Sequence, residues 1–286
     1  MKSIHIVEKS LPLAWERAVI ACWREGESFP TEYDKPGDPN SRDVAAMIHV
    51  TEPLAEPRIH RAIPAGLEDL ERYRSEVLYG VHDHWIDPAA GKWEYTYHER
   101  LFAYAVPGRG LFDQIAAAVA KLRSAPYTRR AQAVTWQVWN DMNISDPPCL
   151  QRLWFRVAAG GSTGLATSRL HMTCHIRSND AFKAAFMNMY AFTELQQMVA
   201  EQIGVAPGEY IHIADSFHIY GSYFADFEGF LQTVASRPFD QRVYTSDFAC
   251  ESFIEGCNSL LAEGDMPEDR KALVRKRLEQ LSGRQG

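Results

Sequence analysis

The chain has 286 residues and a formal net charge of −7, with 46% hydrophobic and 23% charged residues. This composition is typical of a globular protein with a sizeable core, and the length favours one domain over residues 1–286. The acidic balance argues against a general nucleic-acid binder, so we expect a small-molecule partner and no DNA.

The cysteines and the hydropathy pattern indicate a cytoplasmic protein. The cysteines are odd in number and contain no CxxC pair, and the N-terminus lacks a basic segment followed by an apolar core. No stretch approaches the roughly 18 apolar residues that a membrane span needs, so no membrane partner is expected. The five are Cys22, Cys149, Cys174, Cys250 and Cys257.

The first half of the chain predicts helices separated by polar segments. Residues 10–24 have apolar residues at helical spacing, with Ser10 as the N-cap and Pro12 in the first turn. A polar loop over 31–43 follows, because Pro, Gly, Asp and Asn cluster there. The remaining elements are a strand over 44–50, a helix over 67–78, a segment over 94–105 that fits strand or helix, and a helix over 110–123.

The second half predicts a sheet and one long helix. This helix spans 180–203, with Asp180 as its cap and Gly204 as its end. A charged, peripheral helix is expected within the C-terminal segment 265–286. Strands are predicted over 131–139, 151–158, 168–176 and 210–214, with turn residues at Gly160, Gly161 and Gly164.

The segment Asp146-Pro147-Pro148-Cys149 presents a thiol from a stiff turn. Each proline fixes its own φ and biases the preceding residue toward extended geometry, and an apolar run begins directly after Cys149. A rigidly held thiol suits a nucleophile. The alternative is a small apolar residue packed at a strand entrance.

Two groups of cations lie close to this thiol in the sequence. Arg129 and Arg130 precede one strand, and Arg177 with Ser178 lies where a strand is expected to end and a helix to begin. Guanidinium groups and helix N-termini bind phosphate and stabilise a thiolate. Taken singly, the arginine pair also fits a solvated face and the second group a helix cap.

The order of these motifs resembles that of the thymidylate synthase family. Between residues 125 and 222 the chain has a double arginine, a proline-cysteine, the sequence RSND before a long helix that carries Asn188, and the sequence HIY after a strand. Before about residue 90 the resemblance is thin. The chain is identified from these motifs as similar to that family.

The resemblance implies a fold and a reaction. The implied fold is α+β, a large mixed β-sheet packed against helices, assembled as a sheet-to-sheet homodimer. The implied reaction transfers a one-carbon unit from 5,10-methylenetetrahydrofolate to C5 of a pyrimidine nucleoside monophosphate. Addition of the Cys149 thiolate at C6 would turn the ring into an enolate that is nucleophilic at C5.

The resemblance also implies roles for individual residues. Arg177 and Ser178 would bind the phosphate within one subunit, and Arg129 and Arg130 would reach it across the dimer. The other implied contacts are Asn188 with the base, His218 and Tyr220 with the sugar hydroxyls, and Asp180 with the folate. Without the resemblance, a hydrogen-bonded core histidine would be the ordinary interpretation of His218.

Two further roles are assigned by position. The family uses a glutamate on an earlier helix as general acid/base, and counting from Pro53-Leu54 reaches Glu68. Glu68 also fits an acidic residue favoured by a helix N-terminus. Arg42, in the predicted polar loop, is the candidate for an arginine that closes on the phosphate. No metal ligand is predicted.

One departure from the family bears on the product. A tryptophan pair normally precedes the active-site tyrosine, here Tyr97, and shields the intermediate from water. Residues 81–85, VHDHW, keep only the second member, Trp85, with His82 in the first position. If His82 admits water to the intermediate, a hydroxymethyl product is favoured over a methyl product. For the choice of base, Asn188 favours uracil, although its amide can also flip to suit cytosine.

The sequence predicts three candidate functions, in decreasing order of preference. The first is thymidylate synthesis from dUMP, and the second is 5-hydroxymethylation of dUMP, dCMP or CMP. The third, from another class, is a nucleotide or RNA binder without turnover. The chain also lacks the short apolar C-terminus that closes over the cofactor in typical members of the family.

Overall fold

The computed structural model describes residues 1–158 and 167–283. Eleven strands are assigned within these ranges: β1 (Ser3–Glu8), β2 (Glu27–Phe29), β3 (Ser41–Val50), β4 (Ile59–His60), β5 (Tyr104–Val106), β6 (Gly110–Phe112), β7 (Ala131–Val134), β8 (Leu150–Ala158), β9 (Arg169–Asp180), β10 (Ala206–Ile219) and β11 (Val243–Tyr244). The α-helices of the same ranges are α1 (Leu11–Glu25), α2 (Leu67–Tyr79), α3 (Tyr97–Phe102), α4 (Gln114–Ser124), α5 (Val138–Asp141), α6 (Ala185–Ile203), α7 (Phe224–Ser236), α8 (Ser246–Leu261) and α9 (Glu268–Ser282).

The centre of the fold is a mixed seven-stranded sheet. Its order is β1-β3-β10-β9-β8-β7, with β2 added to β3. β1 runs parallel to β3 and β9 parallel to β10, whereas the other neighbours are antiparallel. This mixed sheet with its helices confirms the predicted α+β class.

The two faces of the sheet differ in burial. Along β9, Leu170, Met172, Cys174 and Ile176 are buried, and the residues between them are partly exposed. α1 and α6 pack on the buried face because their own apolar rows, including Leu195 of α6, are buried in the same core. The opposite face remains partly open to solvent.

Two β-bulges lie side by side at one end of the sheet. The register of β8 against β9 shifts between Leu150 and Arg152, and that of β10 against β3 shifts between Ala214 and Phe217. Both shifts flank Ile176 of β9, which pairs with Leu150 and Ala214. Because bulges re-aim side chains, this end of the sheet can direct several side chains to one place.

The helix predictions hold best where caps and periodicity agree. α1 and α2 confirm the predicted helices, and α6 ends at Gly204, whose φ is 76°. The predicted start of this helix, at Asp180, was wrong. The Asp180 carboxylate accepts hydrogen bonds from the amides of Phe182 and Lys183, so it caps a separate turn before α6. β9 therefore continues through Asp180, and Arg177 lies in a strand, not at a helix start.

Other boundaries differ for local reasons. Gly110 has φ of 87° and begins β6, so α4 starts only after Asp113, whose carboxylate accepts from the Ala116 amide. Residues 94–105 contain both the short helix α3 and the strand β5, and the strand predicted over 131–139 ends at Val134. The three predicted turn glycines at 160–164 lie outside the described residues.

The C-terminal helix α9 packs one face against the core, and most of its other residues are exposed. Val274 and Leu281 are buried. Arg277 donates to the fully buried Glu71 of α2 over 3.0 and 2.8 Å. Arg74, also of α2, donates to the same carboxylate over 3.2 Å. The Glu71 carboxylate therefore joins α2 to α9 through Arg277. No helix within residues 1–158 and 167–283 has the length and apolar character needed to cross a membrane.

We expect Arg277→Met to lower the free energy of unfolding by about 3 kcal/mol, because Glu71 would remain buried with one cation fewer. Urea denaturation at unchanged m-value measures the change. Arg275→Met is the matched control, since Arg275 lies on the same helix and pairs with the exposed Glu268. Equal losses in the two variants would contradict the importance of the buried pair.

Candidate active site

Cys149 lies immediately before β8, and Arg177 of β9 holds it in place. The Arg177 amide donates to the Cys149 carbonyl over 2.8 Å. Its guanidinium donates to the carbonyls of Pro148 and Pro147 over 3.1 and 2.6 Å. Gln151 also donates to Pro148 over 2.8 Å. The stiff turn predicted from the two prolines is therefore tied to the sheet by a neighbouring strand.

The thiol is half-buried, and burial raises its pKa. The nearby Arg177 guanidinium lowers the pKa of Cys149, and the Asp146 carboxylate raises it again. Cys149 is thus predominantly a thiol at neutral pH, and its thiolate fraction grows as pH rises.

Two tyrosines flank the start of β8. The Tyr97 hydroxyl accepts a hydrogen bond from the Leu150 amide over 3.3 Å, and Tyr95 lies close to the backbone of Cys149. Their ring centroids are 5.8 Å apart. Burial raises the pKa of both phenols, so both keep their protons over the working range of an enzyme. Tyr97 was singled out from the sequence, but Tyr95 was not.

A cavity of about 550 Å³ opens beside these tyrosines. Its walls include Trp93, Tyr95, Tyr97 and Asp146, together with Glu76 of α2. Glu68, the acid predicted by counting, is exposed in the first turn of α2 and lies near Glu255 of α8. The two acids are eight positions apart, which corresponds to about 12 Å along the helix. The structure therefore brings Glu76, not Glu68, to the cavity.

Asn188 is buried on α6, and its carboxamide contacts Tyr73 of α2. The Tyr73 hydroxyl donates to Oδ1 of Asn188 in a short hydrogen bond. Burial raises the pKa of Tyr73, which keeps the phenol as a donor. With Oδ1 accepting from Tyr73, the amide orientation is fixed by a residue that sequence reasoning missed.

His218 and Tyr220 lie together at the end of β10. Nδ1 of His218 is 3.1 Å from the Ser216 hydroxyl, and its buried Nε2 has no hydrogen-bond partner among the described residues. The Tyr220 ring meets the His218 ring edge-on at 4.6 Å, and burial raises the pKa of Tyr220 to about 12. A buried ring nitrogen without a partner fits a site that a ligand hydroxyl completes.

Ser178 and Asp180 share this end of the sheet, since they pair in register with Ser216 and His218. Burial raises the pKa of the Asp180 carboxyl. The polar loop also reaches the site: Tyr33 lies 6.1 Å from Tyr220, and burial followed by the Asp146 charge raises the pKa of Tyr33. No local motif marks Tyr33.

Of the three other predicted arginines, Arg42 lies next to this end of the sheet, and Arg129 and Arg130 lie far from it. Arg42 is in β3, not in the polar loop, because Ser28 and Ile219 pair with it from both sides. Its guanidinium contacts the Gly26 carbonyl and the Trp23 ring near α1. Arg129 and Arg130 are exposed before β7, whose register places them about 20 Å along β8 from Cys149.

His82 and Trp85 stack with their ring centroids 3.9 Å apart and an interplanar angle of 8°. His82 is buried, and its Nδ1 lies 2.9 Å from the Glu76 carboxylate. Trp93 approaches the His82 ring edge-on at 5.7 Å. Both predicted residues thus adjoin the wall of the cavity that contains Glu76.

Comparison with known proteins identifies the family of this chain. The sequence family described as Thymidylate synthase matches residues 68–247. The chain belongs to the thymidylate synthase family. It is therefore a transferase of nucleotide biosynthesis, in the class that adds a methyl or hydroxymethyl group at C5 of a pyrimidine.

Relatives extend over most of the chain. A protein of Methanopyrus kandleri named "Putative thymidylate synthase" is 38% identical over 74% of this chain and 90% of its own length. One of the same name from Methanocaldococcus jannaschii is 28% identical over 75% of this chain and 90% of its own. Thermostable thymidylate synthase A from Bacillus subtilis shares the fold, with a TM-score of 0.61 and 18% identity over 78% of this chain and 84% of its own.

We expect Asp146→Asn to speed alkylation of Cys149 by iodoacetamide about twofold at pH 7.5, because an exposed neighbouring anion has a modest effect on the thiol pKa. Peptide mass spectrometry measures the rate, and the other four cysteines are buried. Asp247→Asn, a change at an exposed position on α8, is the control. An unchanged rate in Asp146→Asn would show that its charge does not act on the thiol.

Proposed function

We propose that this protein is a thymidylate synthase that methylates dUMP at C5. The observation that carries the proposal is the position of Cys149, which is held by Arg177 and lies next to Leu150, whose amide donates to Tyr97 on the wall of the cavity that Glu76 lines. A nucleophile, a cation and an acid are the groups that covalent activation of a pyrimidine needs.

The nucleotide lies along the bulged end of the sheet in this proposal. Arg177 and Ser178 bind the phosphate, and His218 with Tyr220 binds the sugar hydroxyls. The unpartnered Nε2 of His218 supports this assignment, because a hydroxyl would complete its hydrogen bonding. Asn188, fixed by Tyr73, reads the base.

The residues of the chain carry the nucleotide chemistry. Sγ of Cys149 forms a bond to C6, and the electrons of the C5–C6 double bond move toward C5 and O4 as an enolate. Glu76 moves the proton at O4, and we propose it as general acid/base in place of Glu68. The buried phenols of Tyr95 and Tyr97 position the backbone next to the thiol and limit water there.

The cavity fits a folate. Its aromatic wall, which includes Trp93, suits a flat pterin ring, and Asp180 and Trp85 are the other candidates to hold the cofactor. When bound there, 5,10-methylenetetrahydrofolate supplies the one-carbon unit and, for methylation, the reducing hydride.

A homodimer through the open face of the sheet completes the proposed site. Arg129 and Arg130 are exposed and about 20 Å along β8 from Cys149 of their own chain, too far to reach its nucleotide. A second copy facing this sheet gives the pair a phosphate to bind. This assembly accounts for two cations that one subunit leaves unused.

Hydroxymethylation of dUMP, dCMP or CMP is the second candidate. It is favoured by His82, a polar imidazole where the family has a shielding indole, on the wall next to Glu76. A binder without turnover is not proposed, because the chain belongs to a family of enzymes that modify C5 of a pyrimidine.

Incubation with methylenetetrahydrofolate and each of dUMP, UMP, dCMP and CMP tests the proposal. We expect dUMP to gain a methyl group with equimolar formation of dihydrofolate, read by nucleotide mass and by absorbance. A hydroxymethyl product without dihydrofolate would replace the first candidate by the second. Cys149→Ser is the control: it should bind nucleotide and form no product with any of the four.

The assignment of the general acid/base is tested by a matched pair on α2. We expect Glu76→Gln to lower kcat about a hundredfold or more, because it removes the group that moves the proton at O4. Glu68→Gln should leave kcat within about twofold, since its side chain is exposed on the side facing α8. The reverse ranking would return the role to Glu68.

A further inference from the structure

The side chains of Glu263, His82 and Glu76 form a line of contacts from the connection between α8 and α9 to the candidate acid/base, Glu76. Nδ1 of His82 lies 2.9 Å from Oε2 of Glu76, and Nε2 of the same ring lies 3.6 Å from Oε2 of Glu263. Nε2 of His82 and Oε2 of Glu263 are both buried and lack hydrogen-bond partners among the described residues. The two orphaned atoms therefore face each other, and one imidazole separates two carboxylates.

The imidazole is held firmly between these carboxylates. Only 5% of His82 is exposed, and its ring stacks on Trp85 at 3.9 Å and meets the edge of Trp93 at 5.7 Å. A ring that faces a carboxylate at each nitrogen can donate to both only when both nitrogens carry protons. Stacking on an indole face also favours a cationic ring.

Glu263 lies in the connection between α8 and α9, and a residue of α2 holds its side chain in place. Arg72 donates to its Oε1 over 2.8 Å. Asp265, in the same connection, accepts from Nε1 of Trp85 at 3.2 Å and lies 3.3 Å from Nε2 of His84. Arg270 of α9 lies 3.6 Å from Asp83. The connection thus docks on residues 82–85 through several charges, but only Glu263 faces His82.

We propose that His82 is a positioning residue that orients Glu76 and supplies its proton, with Glu263 stabilising the protonated ring. The inference rests on the proposed function of Glu76. In the step it describes, the Nδ1 proton of the imidazolium moves to the Glu76 carboxylate, which leaves a neutral imidazole and a carboxylic acid. Nε2 keeps its proton toward Glu263, so charge and protons balance without another reactant.

This arrangement gives the C-terminal pair of helices a part in the chemistry. A buried base oriented by a third group is the general logic of an activated acid/base. Here the third group comes from a segment more than 180 residues later in the chain than His82. The α8–α9 connection therefore affects the reaction without touching the nucleotide.

A double-mutant cycle separates this role from simple docking. We expect Glu263→Gln to lower kcat roughly tenfold and His82→Gln about a hundredfold, with KM for the nucleotide within about twofold in both. Because Glu263 acts only through His82, the double variant should be no slower than His82→Gln alone. Additive losses would overturn the proposal.

Asp265→Asn is the matched control, since it alters the same connection without facing His82. Its effect on kcat should be smaller than that of Glu263→Gln and should add to that of His82→Gln. Thermal unfolding midpoints of all variants identify any loss that arises from folding alone. Losses of kcat that follow the midpoints across the set would also overturn the proposal.

Nitrogen NMR of histidine-labelled protein tests the bridge independently of activity. We expect the His82 ring, assigned by its absence in His82→Gln, to be doubly protonated at pH 7, and Glu263→Gln to increase the neutral form. A ring that is neutral in the unmodified chain would overturn the inference. If the NMR result holds but no nucleotide is modified, the proposed function fails and the bridge remains.

Discussion

The site depends on the hydrogen bonds between Arg177 and the two prolines before the thiol. Without Arg177, the Pro147 carbonyl would have no hydrogen-bond partner among the described residues and the Pro148 carbonyl would keep only Gln151. Burial already opposes ionisation of the half-buried thiol beside them. One guanidinium stabilises the turn and opposes the increase in the Cys149 pKa. The nucleophile and its nearest cation are therefore a single structural unit that spans two neighbouring strands.

A second constraint lies in α2, which serves the core and the cavity at once. Glu71 points inward to Arg74 and Arg277, whereas Glu76, five residues later, points to the cavity. Five residues turn a helix by about 140°, so these acids occupy different faces. Burial of Glu71 with Arg277 fixes the rotation of α2 about its axis and thereby the direction in which Glu76 points.

The sequence by itself determined the short motifs of the site and the order in which they occur along the chain. Cys149 behind two prolines, Arg177 with Ser178, and His218 with Tyr220 were predicted because these short motifs resemble those of the thymidylate synthase family. α1 and α2 were predictable because apolar periodicity, with a proline in the first turn of α1, acts over a few residues.

Only the tertiary structure decided which acid lines the cavity, which tyrosines lie beside the site and which face of the C-terminal helix packs against the core. Counting from Pro53-Leu54 led to Glu68, but that residue is exposed, and the rotation of α2 places Glu76 on the cavity wall instead. The roles of Tyr73, Glu263 and α9 rest on contacts between residues more than 100 positions apart. Such contacts leave no spacing in the sequence, because they depend on how whole helices rotate and pack.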